Sequence, residues 1–165
     1  MKYNNDFLMI INDILLNENV QSLKNFKHHY GSTRFEHCLS VSYYSYCICK
    51  FLGLDYISAA RAGLLHDLFF YDCESNVTRP ERHLTSHPKI ALENAKKLFY
   101  LNKKECDIIL KHMWPITLYP PKYIESFIIT FVDKYCALVE WLNYCNFCLL
   151  NYYALFYLHR KKNIF

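Results

Sequence analysis

Ala59-Ala60-Arg61-Ala62-Gly63-Leu64-Leu65-His66-Asp67 is the stretch whose reading decides the fold. A largely apolar run ends in an imidazole and a carboxylate side by side. Adjacent helical residues diverge by about 100°. His66 and Asp67 can therefore serve one site only if the helix ends there or the site lies across its tip. Neutral imidazole and ionised carboxylate are both lone-pair donors to a divalent cation, and the cation offsets the cost of burying the carboxylate. The small residues Ala59, Ala60, Ala62 and Gly63 permit close helix packing, which makes this helix central. Only three glycines and five prolines leave little punctuation for many short strands, so the expected fold is all-α.

Length and composition bound the rest. The chain has 165 residues, enough for one domain with a sizeable core but not comfortably two. With 53% hydrophobic and 21% charged residues it is too apolar to be disordered. The net charge of +4 comes from scattered lysines and Arg160-Lys161-Lys162. It suits a small anionic substrate, whereas a nucleic-acid groove would need clustering that is not evident. The N-terminus does not resemble a signal peptide. The eight cysteines fall mostly inside apolar helical runs, as reduced core thiols of a cytoplasmic protein would. Cys145-x-x-Cys148 is at most half of a zinc site.

Upstream, residues 6–23 show three-to-four apolar spacing and read as an amphipathic helix. Residues 24–31 read as a connection, with His28-His29 as exposed loop histidines. Thr33 with Glu36 reads as a capping box opening a helix that runs to about Leu52 and ends near Gly53. His37, Val41, Tyr44 and Ile48 share its inward face, and Arg34 lies one turn before His37 on roughly the same side. Asp55 to Ser58 can cap the helix that ends at His66-Asp67.

Downstream, periodicity fades from Phe69 to Ser86, which reads as a long surface loop of the kind that often forms a lid. Thr85-Ser86-His87-Pro88 reads as a helix start, with Pro88 in the first turn. Asn102 caps a short helix with Cys106, Ile109 and His112 on one side. A further helix follows Pro120-Pro121 and embeds Asp133 in an apolar run, where a carboxylate needs a partner. The aromatic segment 143–160 is shorter in uninterrupted apolar length than the roughly 20 residues of a membrane span. It reads as a separate packing helix suited to a homodimer interface, with no transmembrane segment. One domain over 1–165 is expected, its core at about 33–142, with helices 6–23 and 143–160 packed on it.

The inward-facing candidates are then His37, His66-Asp67, His87, His112 and Asp133, on separate helices. The order His … His-Asp … Asp, with Gly63-Leu64-Leu65 leading into His66-Asp67, resembles the HD superfamily of metal-dependent phosphohydrolases over about Arg34 to Glu140. The resemblance implies an HD-type bundle of about six to eight helices. It implies metal ligation by His37, His66, Asp67 and Asp133, with His87 and His112 matching extra histidines of two-metal members, in which the Asp of the pair bridges the ions. His83 could stand in for a missing ligand on the second metal. An imidazole and carboxylate set suits one or two ions of iron, manganese, zinc, cobalt or nickel. Two ions on a bridging carboxylate could lower the pKa of a shared water and stabilise phosphoryl charge. Arg34, Lys111 and Lys134 are candidates for neutralising substrate phosphate.

Departures narrow the substrate. Alarmone hydrolases of the superfamily carry a Glu-Asp pair three residues beyond the His-Asp, where this chain has Phe70 and Tyr71. The Glu of 5′-deoxynucleotidases, the lysine of small phosphodiesterases and the Gly-Tyr-Pro of the cyclic-di-GMP type are also missing. Asp72 is the nearest acid and a proton-transfer candidate, with an exposed loop carboxylate as the plain alternative. Two readings follow. One is a metal-dependent phosphohydrolase acting on a nucleotide or related phosphate ester. The other is a non-catalytic, metal-stabilised HD module binding a nucleotide or protein partner.

Overall fold

The computed structural model describes the backbone of residues 3–28, 31–71 and 80–162, and their side chains as far as 147 apart from 80–84. Among the described residues there are helices and no strands: α1 (Asn5–Leu15), α2 (Glu18–Gln21), a 3-10 turn (Ser22–Asn25), α3 (Arg34–Phe51), α4 (Tyr56–Leu65), α5 (Pro80–Leu98), α6 (Lys103–Lys111) and α7 (Ile124–Lys162). The fold is all-α, as the sparse glycine and proline suggest.

α3 and α4 form the central pair, with α7 on α3, α6 on α4 and α5 on α6. α3 starts where Thr33 and Glu36 form a full capping box, the Glu36 carboxylate accepting from the Thr33 N–H at 2.8 Å. Its inward face is offset from expectation. Cys38, Val41, Ser42, Ser45 and Cys49 are buried, while Ile48 is 39% exposed. The reason is the small serine face, which lets α4 approach. A Cβ on Gly63 would lie only 2.8 Å from the Ser42 Cα, and the Ser42 hydroxyl donates to the Ala60 carbonyl.

Three boundaries differ from the sequence reading. The stretch 6–23 breaks at Asn17, whose extended backbone and side chain cap α2. α5 begins at Pro80, with Pro88 inside it. Pro80 takes the first helical position that proline favours, so residues 80–86 belong to the helix and not to the loop. The segment 143–160 is the continuation of α7. No glycine or proline follows Pro121, so nothing stops that helix, and Asn143, Asn146 and Asn151 are tolerated within it. One side of α7 packs Ile129, Val132 and Cys136 into the core, while Phe131, Tyr135, Leu138 and Leu142 lie exposed on the other. No helix among the described residues is long and apolar enough to cross a membrane.

Candidate metal centre

α4 stops one residue before the pair. Leu65 is its last residue, His66 its C-cap, and the chain turns at once, the Phe69 N–H donating to the Asp67 carbonyl at 2.8 Å. The turn frees both side chains from helical divergence. The His66 Nδ1–H donates to the Gly63 carbonyl at 2.8 Å, which leaves Nε2 aimed inward. α6 repeats the device: His112 is its C-cap and its Nδ1–H donates to the Ile109 carbonyl at 2.8 Å. Two helix C-termini, each the negative end of a helix dipole, thus converge where a cation would sit.

Asp67 divides its oxygens between two groups. Oδ1 lies 3.3 Å from His87 Nε2 and 3.4 Å from His112 Nε2, and those two nitrogens are 2.9 Å apart. Oδ2 lies 3.8 Å from His66 Nε2, which is 3.5 Å from Asp133 Oδ1. Asp133 Oδ1 is in turn 3.0 Å from His37 Nε2. The six ligand candidates from α3, α4, α5, α6 and α7 therefore meet in one place. All but Asp133, with 14% side-chain exposure, are buried.

Two residues of the centre escaped the sequence reading. His28 is not an exposed loop histidine. Its side chain is 10% exposed, its ring stacks on His37 with centroids 3.9 Å apart, and its Nε2 is 3.9 Å from Asp67 Oδ2. Glu140 lies two turns beyond Asp133 on the same face of α7, a spacing that could have pointed to it. Its Oε1 meets His37 Nδ1 at 3.0 Å, and its Oε2 meets His28 Nδ1 at 3.2 Å and the Ser32 hydroxyl at 2.9 Å.

The other candidates are placed differently. Arg34 is fully buried, its Nη1 donating to the Phe69 carbonyl at 2.7 Å and its Nη2 to the Tyr71 carbonyl at 3.0 Å, with the guanidinium 3.7 Å over the Phe69 ring. A buried guanidinium must satisfy its donors, and here it braces the chain leaving Asp67. Lys111 is held by Asp107 at 2.9 Å and by the Pro120 carbonyl at 2.9 Å. Lys134 donates to the carbonyls of His112 and Thr130 at 3.1 Å each and lies 4.0 Å from Asp133. Asp72 and the side chain of His83 lie outside the described residues.

Electrostatics separate the two groups. Burial disfavours a charged His37, but hydrogen bonds to Asp133 and Glu140 outweigh it and push its pKa up to about 10. Burial likewise opposes charge on His66, yet Asp67 raises its pKa well above the usual value. Burial disfavours the carboxylates too, but His66 and His87 hold Asp67 well below the usual range, and His37 and His66 do the same for Asp133. Glu140, despite burial, is lowered to about 2 by His28 and His37. His112 goes the other way, lowered first by burial.

The donor set fits a divalent cation. Two donors about 2.1 Å from one ion stand roughly 3.0 Å apart at right angles and about 3.4 Å apart in a tetrahedron. The separations of 3.0 and 3.5 Å around Asp133 and of 3.3 and 3.4 Å around Asp67 Oδ1 match those values. His66 Nε2 is buried without a well-formed hydrogen bond, as a nitrogen reserved for a metal would be. Glu140 on His37 Nδ1, with the Gly63 and Ile109 carbonyls on His66 and His112, hold these imidazoles as outer partners would hold ligating ones.

No curated protein and no solved structure matches the chain at a significant level. The family model described as HD domain matches residues 34–138, most of the chain and all of α3 to α6. The His37, His66-Asp67 and Asp133 constellation falls within that span, and the chain belongs to the HD domain family.

Proposed function

We propose that this protein is a metal-dependent phosphohydrolase acting on a nucleotide or related phosphate ester, with a dinuclear centre of iron, manganese, zinc, cobalt or nickel type. The observation that carries the reading is the Asp67 carboxylate, whose two oxygens face two separate imidazole groups. Bound divalent ions supply Lewis acidity and lower the pKa of a water at such a centre. The protein's own share is placement. His37, His66 and Asp133 make up one group, His87 and His112 the other, and Asp67 joins them. Of the three candidate cations, Lys134 is assigned to substrate phosphate. Its ammonium rests on the His112 carbonyl at the rim of the second group, with its pKa lowered by burial. Arg34 supports the centre indirectly, by pinning residues 69 and 71 through their carbonyls.

The test is metal analysis of the purified protein coupled to a phosphatase and phosphodiesterase screen over nucleotides. Bound transition metal with turnover of at least one phosphate ester is the expected result, and His66→Ala with Asp67→Ala should abolish both. Metal without turnover on any of them overturns the hydrolase in favour of a binding module, the reading that Phe70 and Tyr71 support by standing where relatives carry acids. A folded protein with no metal affinity overturns both.

A further inference from the structure

His28 is held more firmly than a loop residue need be. Its N–H donates to the Ser32 carbonyl at 2.8 Å, Lys27 and Thr33 form an antiparallel bridge, and Gly31 makes the turn with φ +92°. The Ser32 hydroxyl then ties this short loop to Glu140. Glu140 grips two imidazoles at once, Oε2 on the Nδ1 of His28 and Oε1 on the Nδ1 of His37. The two rings stack with only 17° between their planes. With both Nδ1 atoms on one carboxylate and the rings nearly parallel, both Nε2 atoms face the aspartates, His37 towards Asp133 and His28 towards Asp67.

We infer that His28 is a metal ligand, the fifth protein donor of the group built on His37, His66, Asp67 and Asp133, and that Glu140 is the clamp that sets it. This rests on the metal centre proposed above but not on its turnover. Following the donor atoms gives a continuous chain. His28 to Asp67 Oδ2 is 3.9 Å, Asp67 Oδ2 to His66 3.8 Å, His66 to Asp133 Oδ1 3.5 Å and Asp133 Oδ1 to His37 3.0 Å, and the rings at the two ends of the chain are stacked. Donors about 2.1 Å from one ion stand between roughly 3.0 and 4.2 Å apart, from right-angled to opposite, so each of these four distances is compatible with a shared ion. The second group, Asp67 Oδ1 with His87 and His112, has three protein donors among the described residues. Among the described residues the first group thus offers five protein donors and the second three, and a site with more protein donors would hold its ion more tightly.

The experiment measures metal binding alone. Full-length protein is stripped, then titrated with cobalt(II) against a competing chelator, with visible absorption followed and bound metal counted after dialysis. Wild type should take up one tight and one weak ion. His28→Gln, which keeps an N–H for Glu140 but removes the imidazole nitrogen, should weaken the tight ion by at least about tenfold, change its absorption band and leave the weak ion as it was. His28→Ala should do the same, and if that variant fails to fold, His28→Gln decides. A His28→Gln protein that binds both ions with wild-type affinity and spectrum overturns the inference while leaving the metal centre standing. A wild type that binds no cobalt, zinc, manganese, iron or nickel overturns the centre itself.

Discussion

The two donor groups that share Asp67 are built from the same side chains yet solve opposite charge problems. Around Oδ2, His37 and His66 face Asp133, and Glu140 backs His37. Asp67, Asp133 and Glu140 face His28, His37 and His66 there, and protonated imidazoles answer the carboxylates, with the His37 pKa pushed up to about 10. Around Oδ1, two imidazoles share one carboxylate oxygen, and buried His112 is lowered and stays neutral. Protons therefore stand in for a cation in the first group, and a metal entering there must displace them. In the second group the nitrogens of His87 and His112 meet at 2.9 Å, so a metal there would replace a contact between two imidazoles.

The harshest way to break this contrast is Asp67→Ala, because it removes the one residue common to both groups. Loss of both ions is expected, and with them any hydrolysis, read by metal content and turnover. His87→Ala, by comparison, should spare the first ion.

A pH series on chelated protein comes next. Burial works against every charge in the first group, but the ion pairs outweigh it. Glu140, lowered from 4.5 to about 2, stabilises the fold fully above pH 4.5 and loses that contribution as pH falls towards 2. His37, raised from 6.5 to about 10, stabilises fully below pH 6.5 and loses its contribution as pH rises towards 10. The contribution of this group to metal-free stability should therefore peak between pH 4.5 and 6.5. Metal-loaded protein should peak higher, since the ion replaces the protons. Thermal midpoints that stay flat from pH 6.5 to 10 without metal would remove the imidazolium from the argument.

Glu140→Gln should weaken binding at the first group by about 10–100-fold and leave the second unchanged, as loss of an outer-shell carboxylate does elsewhere. Competition titration resolves the two. The smallest effect is expected from Gly63→Ala. Its Cβ meets the Ser42 backbone at 2.8 Å, and overpacking of that kind costs about 1–3 kcal/mol in denaturant unfolding. The push separates α4 from α3, and so His66 and Asp67 from His37. Affinity should fall modestly, most at the first group, which takes two donors from the end of α4 against one in the second.

Much of this was legible in the chain. Thr33 with Glu36 and Asn102 marked helix starts because capping is local chemistry, and both hold. The small residues of α4 announced a close approach, and Gly63 against Ser42 is that approach. His37, His87 and His112 stand out because a helical period predicts which residues turn inward, Asp133 because it is embedded in an apolar run, and His66-Asp67 as an imidazole and a carboxylate side by side at the end of one. The misses have physical causes as well. His28 sits on a connection with no period, and only the bridge at Lys27 and Thr33 turns it inward. Arg34 has a long side chain whose partners are chosen by tertiary structure, so its place on helix α3 did not reveal that it would be taken up by the carbonyls of Phe69 and Tyr71. Pro88 suggests a helix start because proline lacks an N–H, yet α5 begins at Pro80 and accommodates it.

The clamp between His28 and Glu140 joins residues 112 positions apart in sequence. Closing so large a loop costs little more than closing a moderate one, about 0.6 kcal/mol per doubling of length, but contacts of such long range form late in folding. The proposed first ion site would therefore be a record of completed folding. A nascent chain that has reached Asp133 already carries His37, His66, Asp67 and Asp133, yet the imidazole pair would not be aligned until Glu140 arrives seven residues later. Tight metal uptake at the proposed site would then follow the finished domain, and partly folded chains would compete for metal with looser, incomplete donors.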